Sequence, residues 1–144
     1  MRAVVAVVVL VLAAGCARTR PSSSGTASCA ELYTRLQQVS ATVSATTELL
    51  TNSLGSQQLS DRIAFEEEQL RQSAQLMASA SVPDTLAATN RQLVAALQAM
   101  AADFARAEAP AARGDFAAAS QAMTDQTAVQ RIVDASQKIE SACA

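Results

Sequence analysis

Apolar side chains recur along this chain at spacings of four and three in four long stretches, the signature of helices that each bury one face. Leu32, Leu36, Val39, Val43, Thr46 and Leu50 form the first stripe. Ser28, with Glu31 three residues on, has the pattern of a capping box and predicts the start of that helix. Ser53-Leu54-Gly55-Ser56 ends it, with Gly55 suited to the left-handed position after a helix. The second stretch, 57–80, sets Leu59, Ile63, Leu70 and Met77 on one face, with Phe65 and Leu76 beside it. Glu66, Glu67, Glu68, Gln69, Arg71 and Gln72 mark its polar side. Ser81-Val82-Pro83-Asp84 opens the third helix, because proline is tolerated in a first turn and aspartate suits the positive end of the dipole. Leu86, Asn90, Leu93, Leu97, Met100, Phe104 and Ala107 then alternate strictly, until Pro110 is expected to break the ladder and Gly114 to complete the turn. Asp115 caps a fourth helix with Phe116, Ala119 and Met123, continued by Val129, Ile132, Ser136, Ile139 and Cys143. Its phase shifts near Gln126, which predicts a local irregularity. No stretch alternates with period two, so no strand is expected.

Four helices of about 24–28 residues joined by turns of about 3–5 predict an all-α fold, an up-down-up-down four-helix bundle. The length of 144 residues fits one domain. The expected core is thin: there is no tryptophan, Tyr33 is the sole tyrosine, and phenylalanine occurs only at 65, 104 and 116. Alanine fills much of the third and fourth helices, which lets axes approach to about 8 Å but buries little area per residue.

The first residues follow a different pattern. Met1-Arg2 precede an apolar run from Ala3 to Leu12, then Ala13-Ala14-Gly15-Cys16. One basic residue, an apolar run and small residues make an export signal. The run is short of the roughly 20 residues that a spanning helix needs, and Arg18 and Arg20 follow it. The segment resembles the lipobox of bacterial lipoprotein precursors, with Ala13 where that family usually has leucine and Leu12 one position earlier. The resemblance covers about the first sixteen residues. It implies that Cys16 receives a diacylglyceryl group on its thiol and becomes the mature N-terminus. Two acyl chains hold a protein on a membrane where one holds it only weakly. The implied organisation is a lipoprotein signal peptide at 1–15, a flexible Ser/Gly/Pro tether at 16–27 and a bundle domain at 28–144, anchored on the extracytoplasmic face of the cell membrane. Ten arginines to one lysine and abundant alanine fit a GC-rich genome such as an actinobacterium's.

Export also changes how the cysteines read. With Cys16 lipidated, Cys29 and Cys143 remain as an even pair in an oxidising compartment, which predicts a disulfide between them. An even number of antiparallel helices puts both ends of the body at one pole, where these two sulfurs can meet. An odd number would hold them tens of ångströms apart, beyond the roughly 7 Å limit between bonded Cα atoms.

Charge and residue types narrow the function. From Ala30 onward eight basic side chains stand against thirteen acidic ones, a balance that argues against a nucleic-acid partner. The chain has no histidine, so Ser-His-Asp and Cys-His nucleophile pairs, Glu-x-x-His di-iron sites and c-type haem attachment are excluded. No cofactor or metal is expected, and no catalytic constellation marks an enzyme. Asn90 on an apolar stripe, Met77, Met100 and Met123 on three helices, and Tyr33 near the first helix start are the candidates to face a ligand. Arg113-Gly114-Asp115 spells an adhesion tripeptide, but Gly114 and Asp115 already serve as helix stop and cap. The expected function is that of a non-enzymatic envelope lipoprotein, bound to the membrane through Cys16 and to a protein partner through a helix face. The alternative is a carrier or sensor holding a small apolar ligand between its helices.

Overall fold

The computed structural model describes residues 23–49, 55–123 and 126–143. Every regular element among them is helical: α1 (Ser23–Leu49), α2 (Ser56–Ala78), a 3-10 turn at Asp84–Leu86, α3 (Ala87–Ala112), α4 (Phe116–Met123) and α5 (Gln126–Cys143). The signal segment, Cys16 and the tether up to residue 22 lie outside the described residues, as does Leu50. The side chain of Thr46 is likewise not described. α3 touches α2, α4 and α5, while α1 packs against α2 and α5.

The helical stripes meet in one core. Leu32, Leu36 and Val39 of α1, Ile63, Leu70 and Met77 of α2, Leu93, Leu97 and Phe104 of α3, and Ile132 and Ile139 of α5 are all buried. Val43, Leu59 and Leu76 pack at its edge. The expected disulfide is present: Cys29 and Cys143, 114 positions apart, are bonded with their Cα atoms 5.3 Å from each other.

Several expectations need correction. α1 starts at Ser23, five residues before the expected cap, so residues 23–27 of the expected tether are helical. Extending an existing helix gains one hydrogen bond per residue fixed, without a new nucleation cost. Ser28 and Glu31 therefore sit inside the helix, and no capping box starts it there. Gly55 is not a left-handed stop; it is the extended N-cap of α2, at φ −64° and ψ 159°. Pro110 does not break α3 but sits within its last turn, where the lost bond to the Arg106 carbonyl leaves only two further helical residues to disturb.

The end of α3 explains Gly114. The Gly114 N–H donates to the Ala111 carbonyl at 2.9 Å and the Asp115 N–H to the Pro110 carbonyl at 3.0 Å. This is the paired closure of a Schellman motif, and it needs a left-handed residue; Gly114 supplies φ +77°. The Asp115 carboxylate then accepts the Ala118 N–H at 3.1 Å, capping α4. A Cβ at position 114 would meet nothing within 4 Å, so Gly114→Ala carries backbone strain alone. Denaturant titration should show a loss of about 1–2 kcal/mol.

The fourth predicted helix is described in two pieces, α4 and α5, on either side of Thr124 and Asp125, which are outside the described residues. The stripe on α5 is Ala128, Ile132, Ala135 and Ile139, while Val129 is 44% exposed. Val129, the bulkier residue expected on this stripe, faces outward, and the small alanines face the core. Phe116 at the start of α4 is also exposed, and so is Phe65 on α2. On α2 it is Glu66, expected on the polar side, that is buried, near Arg62 at 3.8 Å.

Candidate functional site

Polar contacts gather where the middle of α1 passes the chain between α2 and α3. α2 ends at Ala78, leaving its last carbonyls without helical donors. Arg35 of α1 reaches across to supply one: its Nη1 donates to the Leu76 carbonyl at 2.7 Å and to Ser79 Oγ at 2.8 Å. A cation beside a helix C-terminus also meets the negative end of the dipole. Glu31, one turn back on α1, holds Arg35 in place at 2.7 Å.

Glu31 also faces the chain after α2. The Ser81 hydroxyl, the largest influence, holds the Glu31 carboxyl below its usual range; the Arg35 charge and the Ser81 backbone N–H act the same way, and partial burial opposes them. A carboxyl lowered in the folded state stabilises the fold when ionised. That contribution is full above the ordinary glutamate pKa of about 4.3 and is lost as the pH falls through the lower folded value. Glu31→Gln should therefore lower the urea midpoint at pH 7, and the difference from the parent should shrink as the pH falls below the ordinary glutamate range.

Asn90, near the start of α3, closes the same junction from inside. Its Nδ2 donates to the Met77 carbonyl at 2.9 Å, and it is 6% exposed. Its Oδ1 is buried without a hydrogen-bond partner among the described residues. A buried acceptor left unpaired costs about 1–3 kcal/mol. Asn90 and Met77 are thus brought together, through the Met77 backbone.

The other ligand-facing candidates do not join them. Met77 and Met100 are buried in the core, Met123 is half-buried against it, and Tyr33 is exposed on α1. The grooves on the body open to its surface. One of about 370 Å³ runs between α3 and α5 over Ala95, Ala96 and Ala135, with Gln92, Arg131, Asp134 and Lys138 at its walls. A second, about 270 Å³, lies between α2 and α3 over Ala74, Ala101 and Ala102. Neither is lined by Asn90, the three methionines or Tyr33. Among the described residues no cluster of three or more histidine, cysteine, aspartate or glutamate side chains could hold a metal ion. No described helix is long and apolar enough to cross a membrane.

Sequence reasoning missed Arg35 as the link between α1 and the α2 end, and it missed the burial of Glu66 and Asp103. Asp103 is 4% exposed and pairs with Arg106 one turn on. The Glu31–Arg35 spacing of four was the available signal for the first. No family model, curated protein or solved structure matches the chain.

Proposed function

We propose that this chain is a lipid-anchored cell-envelope lipoprotein whose body is a non-enzymatic interaction module. The observation that carries the reading is the cysteine left over. Cys29 and Cys143 are bonded to each other, so Cys16 remains as the third cysteine, at the end of an apolar run that resembles a lipobox. An unpaired cysteine in an exported chain calls for a modification or a partner, and thioether lipidation supplies the first.

The up-down-up-down order belongs to this reading. Three links support it: Cys29 with Cys143, Arg35 with Leu76 and Ser79, and Asn90 with Met77. Helices of alternating direction would bring the first half of α1, the end of α2, the start of α3 and the end of α5 toward one pole in this way. Only six residues separate Cys16 from Ser23, where α1 begins. A span that short reaches about 15–25 Å, so this pole faces the membrane and the opposite pole and the helix flanks are presented outward. Exposed Phe65, Phe116, Val129 and Val133 on those outward surfaces are suited to a protein partner.

Metabolic labelling with a palmitate analogue tests the anchor. The parent chain should incorporate label and sediment with membranes, and Cys16→Ala should do neither. Label that persists in Cys16→Ala would overturn the reading. The carrier alternative rests on the unpaired Oδ1 of Asn90, a ready acceptor for a ligand donor. It requires a ligand whose binding is lost in Asn90→Leu.

A further inference from the structure

Charge pairing within the body leaves a revealing remainder. On α2, Arg62 pairs with Glu66 and Arg71 with Glu67. Asp61 and Glu68 take part in no ion pair among the described residues; each accepts only a glutamine amide from its own helix. They stand seven residues apart, about 10.5 Å along one helix face. Phe65 lies midway between them, 55% exposed. The result is an outward stripe of acid, aromatic, acid.

The groove between α3 and α5 has the opposite character. Its two cations, Arg131 and Lys138, also take part in no ion pair among the described residues, and they too stand seven residues apart on one face. Ala95, Ala96 and Ala135 make a floor with no bulk above it. Asp134 lies between the cations, its carboxylate accepting the Gln130 amide at 2.8 Å. At the matching midpoint the stripe carries uncharged Phe65, so no third charge opposes Asp134. A small-residue floor admits a helix at close range, and the spacing of the cations equals that of the acids.

We propose that a second copy of this chain is the occupant of the groove, with Asp61 and Glu68 of α2 in one protomer meeting Arg131 and Lys138 of the other and Phe65 seated on the alanine floor. Each protomer carries both halves, so a pair can close with two such contacts. The proposal deepens the interaction-module reading and rests on it, naming the partner; it does not depend on lipid at Cys16. Anchoring would favour the contact by confining copies to one surface and raising their effective concentration.

Lysine 138 is the only lysine in the chain, which makes the contact chemically addressable. A carbodiimide joins an amine to a carboxylate directly. Full-length protein in detergent, mixed from light and nitrogen-15-labelled stocks, should yield peptides linking Lys138 of one copy to Asp61 or Glu68 of the other, fewer at high salt. Reversed-charge variants complete the test by sedimentation. Arg131→Glu with Lys138→Glu, and separately Asp61→Lys with Glu68→Lys, should each weaken self-association at least about tenfold, since like charges then face each other. An equimolar mixture of the two variants should associate again, because an acidic groove then meets a basic stripe. A monomeric parent, a dimer that both variants leave unchanged, or mixed-isotope links to other carboxylates only would overturn the proposal. In those cases the lipid-labelling result still stands or falls by itself.

Discussion

Replacing both Cys29 and Cys143 with alanine is expected to destabilise the body by about 5 kcal/mol and to lower its melting temperature by at least about 15 °C. The bond spans 114 positions, and in the chain-entropy view a loop of that size removes much of the freedom of the unfolded state. The folded side points the same way. α1 packs chiefly against α2 and α5, and its described core side chains are Leu32, Leu36 and Val39 with Val43 at the edge. Without the sulfur bridge, α1 keeps those residues and the Arg35 contacts to the α2 end. Thermal melts with and without a reductant measure the effect. Reductant should shift the parent toward the double variant and leave the variant unchanged. A loss under about 1 kcal/mol would place the stability of this fold in its helix packing instead.

Phe104→Ala is expected to cost about 3–5 kcal/mol. Phe104 is 1% exposed and is the largest of the fully buried side chains. Its neighbours along α3, Ala101 and Ala107, are buried and small, so they cannot fill the space left behind. Cavities that cannot collapse lie at the upper end of the range for such truncations. Phe65→Ala and Phe116→Ala remove the same atoms from exposed positions and should change stability by less than about 0.5 kcal/mol. Urea titrations of the three variants test the contrast. Equal losses at all three sites would contradict the packing described here.

The helices were legible because leucine, isoleucine and methionine marked their inner faces. Leu86, Leu93, Leu97, Met100 and Phe104 were expected inside and are buried. Alanine is where that legibility ended: it is small enough for either face, so Ala128 and Ala135 gave no signal against Val129. The aromatic residues misled for a related reason. Phe116 read as core and Phe65 as lying beside it, yet on an alanine-rich body both stand outside. Glu66 and Asp103 were hidden because burial of a charge depends on the helix that packs over it, and nothing along a single helix reveals that. The clasp of α1 on the end of α2 was half visible as the Glu31–Arg35 pair. Its contacts, Leu76, Ser79 and Ser81, came only with the three-dimensional arrangement. The cysteines were the most informative residues of all, because two bonded ends test helix count as well as chemistry.

The intact mass of the protein extracted from its membranes is the most direct test of the whole account. The chain is expected to start at Cys16, carry a diacylglyceryl group and gain two hydrogens on reduction. A chain that still starts at Met1 without lipid, or a mass that reduction leaves unchanged, would contradict it.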